Sequence, residues 1–318
     1  MKILLTTTSF QDTPGKHHDL LNSQNWDIDY LRGPVDESVL LPIIHKYDGV
    51  ICGDDEYTRE VIKLGKQGKL KVLSKYGVGL DRIDLEAAKQ FDVKVTNVPG
   101  VNQVSVAEHV LALLFSFQKN IHLQFNTVQN KSWKRLIGNE IEGSTIGIIG
   151  LGSVGKEVAK KSLALGMTVC CFDIYRDELF LSQFDKIFFT ENIDDIYEKS
   201  DIISLHIPHT SQTDKLINKE VLFSKMKKNP IIINTSRGPI INEDDLIIAL
   251  STNVIAGAGL DVYEREPLPE NNKLRFLPNA LLTPHIGYVT AENYSIFYTQ
   301  MIESLESCVN EKPIRVIK

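Results

Sequence analysis

Short apolar runs alternate with amphipathic stretches along nearly the whole chain. Over the first hundred residues the pattern predicts strands at 2–7, 26–30, 48–52, 71–74 and 93–97. Helix-like runs lie between them at 37–46, 58–65 and 85–91. This is the rhythm of a parallel sheet wrapped by helices. The tetrapeptide Asn97-Val98-Pro99-Gly100 breaks it, and a long helix follows over 103–118. In that helix Val104, Ala107, Val110, Leu111 and Leu114 recur at helical spacing, and the opposite face is also largely apolar. A helix apolar all round is expected to be buried, as a core helix, at a domain junction or in a dimer interface. A second strand–helix series predicts strands at 145–149, 168–172, 202–207, 231–235, 255–260 and 280–282. The last helix, from Ala291 to about Cys308, is expected to return and pack on the first domain.

The run TIGIIGLGSVGKEVAKKSLALGMTVCCFD, from Thr145 to Asp173, carries the most specific signal. A buried-type strand is followed by Gly150, Gly152 and Gly155 in the spacing G-x-G-x-x-G, then a helix ending near Gly166, then a strand ending at Asp173. Each part answers a need of pyrophosphate binding. Gly150 permits the tight turn, Gly152 lets backbone approach phosphate, and Gly155 lets helix and strand pack closely. The helix N-terminus offers free N–H groups and the positive end of its dipole. Asp173 is placed to accept from the adenosine ribose hydroxyls and to repel a 2′-phosphate, which favours NAD over NADP. Arg176, three positions on, is the counter-evidence, because a nearby cation could accommodate that phosphate.

Length and charge narrow the classes. The 318 residues suffice for two domains. A net charge of −6 with no basic run argues against a nucleic-acid surface. No apolar stretch approaches membrane-spanning length, and MKILLTTTSF reads as a first strand rather than a signal peptide. Cys52, Cys170, Cys171 and Cys308 fit neither a disulfide framework nor a zinc site, and suggest a reducing cytoplasm. No metal is expected: His206 and His209 lack accompanying ligands and read as lining the cofactor edge. His17-His18 reads as exposed loop, Tyr76 as a flank of the Gly77/Gly79 turn, and 191–198 as a solvated helix face.

Three polar groups stand just past strand ends of the second series: Arg237, Glu266 and His285. Ligands of such sheets bind there. Oxidising an alcohol with NAD requires a hydride to leave carbon and a proton to leave oxygen. His285 suits the proton, since imidazole titrates near neutrality. Glu266 would orient the ring and stabilise the imidazolium. Arg237 has planar, forked donors that can hold a substrate carboxylate and polarise the carbonyl beside it. Taken singly, each residue is better read as a cap or a loop residue. Downstream of a dinucleotide motif, the three together point to catalysis.

The segments KYGVGLDRIDLEAAK, NVPGVNQVSVAEHVLALL, GIIGLGSVGKEVA, LHIPHTSQTDKLIN, INTSRGPIINEDDLIIAL, GLDVYEREP and LTPHIGY follow one another in that order. In them the chain resembles the D-isomer-specific 2-hydroxyacid dehydrogenases, most of all the short members similar to D-3-phosphoglycerate dehydrogenase. The resemblance implies two Rossmann-like, doubly wound parallel-sheet domains: a flavodoxin-like substrate domain from 1–98 and the returning helix at 288–318, and an NAD-binding domain at 99–287. It implies that Arg237 binds substrate and that Glu266, rather than Glu264, pairs with His285, the proton donor in reduction. It implies NAD contacts from Ser153, Val154, Asp173, Thr235, Ser236, Asp261 and the loop His285, Gly287 and Tyr288, with Pro208 and Thr213 closing over the cofactor. The Val78 and Gly79 amides are expected to receive the substrate carboxylate, with Asn102 nearby and Lys75 facing the substrate. A homodimer is implied, and a small 2-hydroxyacid or 2-ketoacid is the expected partner. The loop Gly53-Asp54-Asp55-Glu56 is acidic where a phosphate reader would carry cations, and would repel a multiply charged substrate unless its carboxylates turn away. With Lys318 as its last residue, the chain is expected to lack a C-terminal regulatory domain. Two alternatives stand beside the dehydrogenase: a glyoxylate or hydroxypyruvate reductase, and an NAD-sensing binding protein akin to the corepressors built on this fold. Glu266 argues against formate dehydrogenase.

Overall fold

The apolar runs become the strands of two separate parallel sheets. The structure is a computed structural model and describes residues 1–310 and 312–317. Positions 311 and 318, the latter the end of the expected C-terminal segment, lie outside the described residues. The chain divides into two compact units, Met1–Val101 with Thr290–Lys318, and Asn102–Val289.

In the first unit the strands are β1 (Lys2–Leu5), β2 (Asp27–Tyr30), β3 (Gly49–Cys52), β4 (Val72–Lys75) and β5 (Lys94–Thr96). They form one sheet in the order β2-β1-β3-β4-β5, every pairing parallel. β3 and β4 are buried along their whole length; β3 accordingly reads as a continuous rather than an alternating apolar run, while β4 ends in the buried polar pair Ser74 and Lys75. One face of the sheet packs Leu4, Val50, Leu73 and Val95 with Val61, Ile62 and Ala87 of the helices. The Ala291–Val309 helix lies against β3, β4 and β5 and buries Phe297, Met301, Ile302 and Leu305. Ser74 Oγ donates to the Met301 carbonyl at 3.0 Å, which anchors that helix to the middle of β4.

Two expectations for this unit need correction. His17 and His18 are not loop residues: both lie in the Lys16–Ser23 helix. His17 and Leu21, one turn apart, face inward, and His17 stacks on Tyr298 with ring centroids 3.9 Å apart. Phe10 meets the same imidazole edge-on. The helix expected at 37–46 breaks into Glu37–Leu40 and a single 3₁₀ turn at Ile44–Lys46, because Pro42 between them has no N–H to donate.

In the second unit the strands are β6 (Thr145–Ile149), β7 (Thr168–Phe172), β8 (Ile187–Phe189), β9 (Ile202–Leu205), β10 (Ile231–Asn234), β11 (Gly257–Leu260) and β12 (Ala280–Leu282). Their order is β12-β11-β10-β9-β6-β7-β8, again wholly parallel. The order reverses between β6 and β9, which makes this a doubly wound sheet with its switch point beside the glycine motif. Edge strand β8 escaped the sequence reading: it is three residues long and leaves Phe188 more than half exposed.

The Gln103–Gln118 helix is present with the expected bounds, yet it is not buried all round. Val106, Ala107, Val110, Leu113 and Leu114 are buried, whereas Val104 is 43% exposed. The buried face packs on β10, β11 and the Ser153–Ala164 helix. Glycines on β11 make this close approach possible: a Cβ at Gly257 would stand 1.8 Å from Phe117 Cζ, and one at Gly259 3.2 Å from Leu113 Cβ.

Burial first, and the neighbouring His18 second, hold the His17 imidazole below its ordinary range. The unfolded chain therefore takes up this proton before the folded chain does. Its contribution is complete above about pH 6.5 and is lost as the pH falls through the histidine range. The thermal midpoint is expected to drop more between pH 7 and pH 5 in the wild type than in His17→Phe, which keeps a ring against Tyr298. Parallel calorimetric pH profiles for the two proteins would remove His17 from this account.

Candidate active site

One row of parallel partners crosses the second sheet: Phe172, Ile149, Leu205, Asn234, Leu260 and Leu282 are paired in turn, neighbour to neighbour. Six strands thus end level. Asp173, Gly150, His206, Thr235, Asp261 and Thr283 are the first residues past that line.

The glycine turn is built by contact as much as by torsion. Gly150 has φ +101°, and a Cβ there would lie 2.5 Å from the His206 carbonyl oxygen. A Cβ at Gly155 would lie 2.0 Å from the Gly150 carbonyl oxygen, so helix and strand touch there. A Cβ at Gly152 would meet nothing within 4 Å: this side of the turn is open. Gly152 also stands at the N-cap of the Ser153–Ala164 helix, and no side chain among the described residues caps it. Its first N–H groups are left for an anion. Val154, half-buried, packs into the core below. The Asp173 carboxylate accepts from Leu151 N at 2.6 Å and Tyr175 N at 3.0 Å, which holds it over the turn. Arg176 is engaged elsewhere: its Nε donates to Glu178 at 2.6 Å, and its guanidinium stacks on Phe189.

On the next strand ends, burial pushes the His206 imidazole down to about 3, so the ring is neutral, within 2.8 Å of Ser204 Oγ. Pro208 and Thr213 come together, since Thr213 Oγ1 donates to the Pro208 carbonyl at 2.7 Å. His209 pairs with Asp214 at 2.9 Å in the same turn. Past β10, Asn234 ties the turn: its Oδ1 accepts from Ser236 N and Oγ, and its Nδ2 donates to the Arg237 carbonyl. Arg237 is half-buried and donates to the Ser236 carbonyl at 2.7 Å. Among the described residues, Thr235 Oγ1 is buried without a hydrogen-bond partner. An open glycine turn, an uncapped helix and an orphaned hydroxyl on one strand edge fit the demands of a bound dinucleotide.

His285 and Glu266 meet. Nδ1 lies 2.8 Å from Glu266 Oε2, and Glu266 Oε1 accepts from Tyr263 N at 3.0 Å. The pair is about one-third exposed, so as a salt bridge it adds roughly 1 kcal/mol or less to stability. Its effect is geometric: with Nδ1–H donated to the carboxylate, Nε2 is the ring atom left to carry a proton outward. Tyr288 sits edge-on to the imidazole, centroids 5.9 Å apart. Asp261 is 1% exposed, and its carboxylate accepts from Thr283 Oγ1 (2.6 Å), Ile286 N (2.9 Å) and Gly287 N (2.8 Å). Burial raises its pKa, but hydrogen bonds from His109, Thr283 and those two amides prevail and hold it below the usual carboxylate range. Both oxygens of Asp261 are thus engaged, by the 283–287 segment and by His109. Asn234, Tyr263, Thr283 and His109 were missed in the sequence, where nothing but their neighbours marks them.

In the first unit Lys75 ends β4, and Val78 and Gly79 lie on the loop past it, opened by Gly77 at φ +108°. The Val78 carbonyl accepts from Asn97 Nδ2 at 2.9 Å. Lys75 is buried and pairs with Asp54 at 2.8 Å. Asp55 turns inward, accepting from Thr6 Oγ1, Val35 N and Gly53 N, and Glu56 accepts from Glu37 N. Asn102 belongs to the second unit, at the N-cap of the Gln103–Gln118 helix.

Residues 111–287, more than half the chain, match the model of the NAD-binding domain of D-isomer-specific 2-hydroxyacid dehydrogenases. The chain belongs to that family. Its members are NAD-dependent oxidoreductases acting on CH–OH groups. The chain is similar to a hydroxypyruvate reductase of Thermotoga maritima, 35% identical over 90% of this chain and 92% of the reductase. It is 38% identical to a D-3-phosphoglycerate dehydrogenase of Synechocystis sp. over 80% of this chain, and spans 46%, about half, of that protein's length. A solved D-lactate dehydrogenase of Aquifex aeolicus, complexed with NAD and lactic acid, superposes with a TM-score of 0.85 at 28% identity, covering 98% of this chain and 96% of that one. Family and fold therefore agree with the resemblance read from the motifs. Among the described residues no helix is long and apolar enough to cross a membrane, and no cluster of His, Cys, Asp and Glu is placed to hold a metal.

Removing the Asp173 carboxylate leaves Leu151 N and Tyr175 N without their acceptor and lifts the repulsion of a 2′-phosphate. Asp173→Ala is expected to weaken NADH binding and to raise the NADPH-to-NADH ratio of affinities about tenfold or more by fluorescence titration. An unchanged ratio would show that this acid does not read the ribose.

Proposed function

We propose that this chain is an NAD-dependent D-2-hydroxyacid dehydrogenase that interconverts a 2-hydroxyacid and its 2-ketoacid. The observation that carries the reading is the 2.8 Å contact between His285 Nδ1 and Glu266, which leaves Nε2 as the proton-bearing atom. Gly150, Gly152, Ser153, Val154 and Gly155 would hold the pyrophosphate, Asp173 the ribose, and Thr235, Ser236 and the 285–288 loop the nicotinamide half, with Pro208 and Thr213 closing the turn beside it. When bound, that cofactor supplies or accepts the hydride. The chain supplies the rest. In reduction the His285 imidazolium gives its Nε2 proton to the carbonyl oxygen as negative charge builds there, and Glu266 stabilises the positive ring until then. Arg237 holds the substrate carboxylate with its forked donors and polarises the carbonyl beside it. In the first unit the Val78 and Gly79 amides are the donors suited to a carboxylate, and in the second Asn102 is a further one.

The Lys75–Asp54 pair favours one class of substrate within this reading. The cation that resemblance aims at the substrate already carries a carboxylate at 2.8 Å. A small unphosphorylated ketoacid such as hydroxypyruvate or glyoxylate suits that balance better than a dianionic phosphate ester.

We infer a homodimer. Ile121, Phe125 and Val128 are each more than half exposed and line one face of the Ile121–Gln129 helix. Trp133 at 81% and Ile137 at 94% exposure continue the apolar surface, and a second copy would cover it. All four cysteines are free, which supports work in a reducing cytoplasm.

His285→Ala and Arg237→Ala are each expected to lower kcat/KM for hydroxypyruvate about 10²- to 10⁴-fold while NADH still binds. Full turnover in either variant contradicts the assigned roles. Across 3-phosphohydroxypyruvate, hydroxypyruvate, glyoxylate and pyruvate, the unphosphorylated acids are expected to be reduced faster. Preference for the phosphate ester would reverse the assignment drawn from Lys75 and Asp54. Sedimentation is expected to give a dimer that Phe125→Glu dissociates. A monomeric wild type would end the dimer inference.

A further inference from the structure

His285 has φ +56°, in the left-handed region that a residue with a side chain rarely occupies. Such a conformation persists where its surroundings over-determine it. The two amides that follow it, Ile286 N and Gly287 N, both end on the buried Asp261 carboxylate, one on each oxygen. Rotating that carboxylate would release one of them. What stops the rotation is a relay from another element. Thr283 Oγ1 donates its single proton to Asp261 Oδ1 at 2.6 Å, so the hydroxyl oxygen is left to accept. His109 Nε2 lies 3.1 Å from that oxygen and 3.4 Å from Asp261 Oδ1. Both oxygens can only accept, so among the described residues the donor that bridges them is the His109 Nε2–H, and this sets its tautomer.

We propose that His109 is a positioning residue for proton transfer, acting through Thr283 and Asp261 on the backbone that aims His285. The inference rests on the acid–base role given to His285 above. His109 is well suited to it. It stands on the Gln103–Gln118 helix, seated by Val110, Leu113 and Leu114 against β10 and β11, the strand that leads into Asp261, so its position is set by packing rather than by the loop it restrains. A second contact agrees. Gly287 has no need of glycine for its torsion, yet a Cβ there would lie 3.1 Å from Asp261 Oδ2 and 3.5 Å from His109 Cδ2. The loop is pressed on the two ends of the relay, Asp261 and His109. A histidine that merely filled the core would need neither the tautomer nor the hydroxyl.

The test compares His109→Leu, His109→Gln and Thr283→Val with the wild type and with His285→Ala. The measurements are hydroxypyruvate reduction by NADH from pH 5 to 9, and NADH affinity by fluorescence. In His109→Leu, kcat is expected to fall about 10- to 100-fold, with NADH affinity within about twofold of wild type. The alkaline limb of the pH–rate profile should move to lower pH, because a loosened His285 loses hold of Glu266. His109→Gln, which restores an N–H donor, should recover most of both effects. Thr283→Val, which cuts the relay at its middle, should reproduce them and covers the case of a leucine variant that does not fold. Wild-type kcat and pH profile in His109→Leu or Thr283→Val, beside an inactive His285→Ala, overturn the proposal and leave the dehydrogenase reading standing. Equal loss in the leucine and glutamine variants with an unmoved limb also overturns it, since that is a packing effect. An active His285→Ala, or a wild type inert toward every ketoacid, removes the reading beneath and the proposal with it.

Discussion

A parallel sheet can deliver residues from distant parts of a chain to one line only if its strands end in register. Here the second sheet does so across six strands, from Phe172 through Ile149, Leu205, Asn234 and Leu260 to Leu282. The glycine turn, the neutral His206, Arg237, the Asp261–Glu266 loop and His285 are each one to six residues past that line. A one-residue slip of any strand would turn its side chains to the opposite face and withdraw its loop from the edge. The apolar content of β9 and β10, buried at every position, is what makes such a slip costly. Register, more than any single polar contact, places the chemistry.

On that edge the polar interactions are small in energy and large in effect. The Glu266–His285 contact contributes little to stability at one-third exposure, but it decides which ring nitrogen faces outward. Asp261 is the opposite case. A carboxylate this buried is costly unless fully hydrogen-bonded, and removing one partner strands the charge. The penalty for leaving any of its partners unmade favours the path the 285–287 loop takes, which carries the left-handed torsion of His285.

Legibility in the sequence followed burial. β6 and β7 have the expected ends because each is an apolar run bounded by a glycine turn or a polar residue, and β12 likewise. Edge strand β8 is an equally short apolar run, Ile187–Phe189, and differs in sitting at the sheet's edge with Phe188 more than half exposed. The His17 helix was read as loop because two adjacent histidines look solvated, while the Tyr298 ring that buries one of them is 281 positions away by residue number. The Gln103–Gln118 helix is buried along one face within its unit, while Val104 on another face is exposed in the single chain. Arg237, Glu266 and His285 stand out only together, past strand ends and downstream of the glycine motif, and of the three the structure joins Glu266 to His285. His109 does not stand out. Set among VAEHVLALL it reads as a core position, and its partners, Asp261 and Thr283, lie more than 150 residues on.

Charge at the first sheet's carboxyl edge bears on substrate in a way that counting residues does not. The loop at 53–56 has three acids, which by number alone would repel any anion. Asp55 is folded into the core, hydrogen-bonded to Thr6, Val35 and Gly53, and Glu56 is turned to the backbone of Glu37. That leaves Asp54, and it stands 2.8 Å from Lys75. A buried ammonium without such a partner would be a strong attractor for phosphate. Paired as it is, the two charges nearly cancel at distances beyond a few ångströms, and a monoanionic acid approaching the Val78–Gly79 amides meets neither strong attraction nor strong repulsion. A dianion gains nothing further from Lys75 unless it displaces Asp54, and displacement would leave that carboxylate without its cation beside the incoming charge. On the reading proposed above, such an edge suits a substrate carrying a single negative charge.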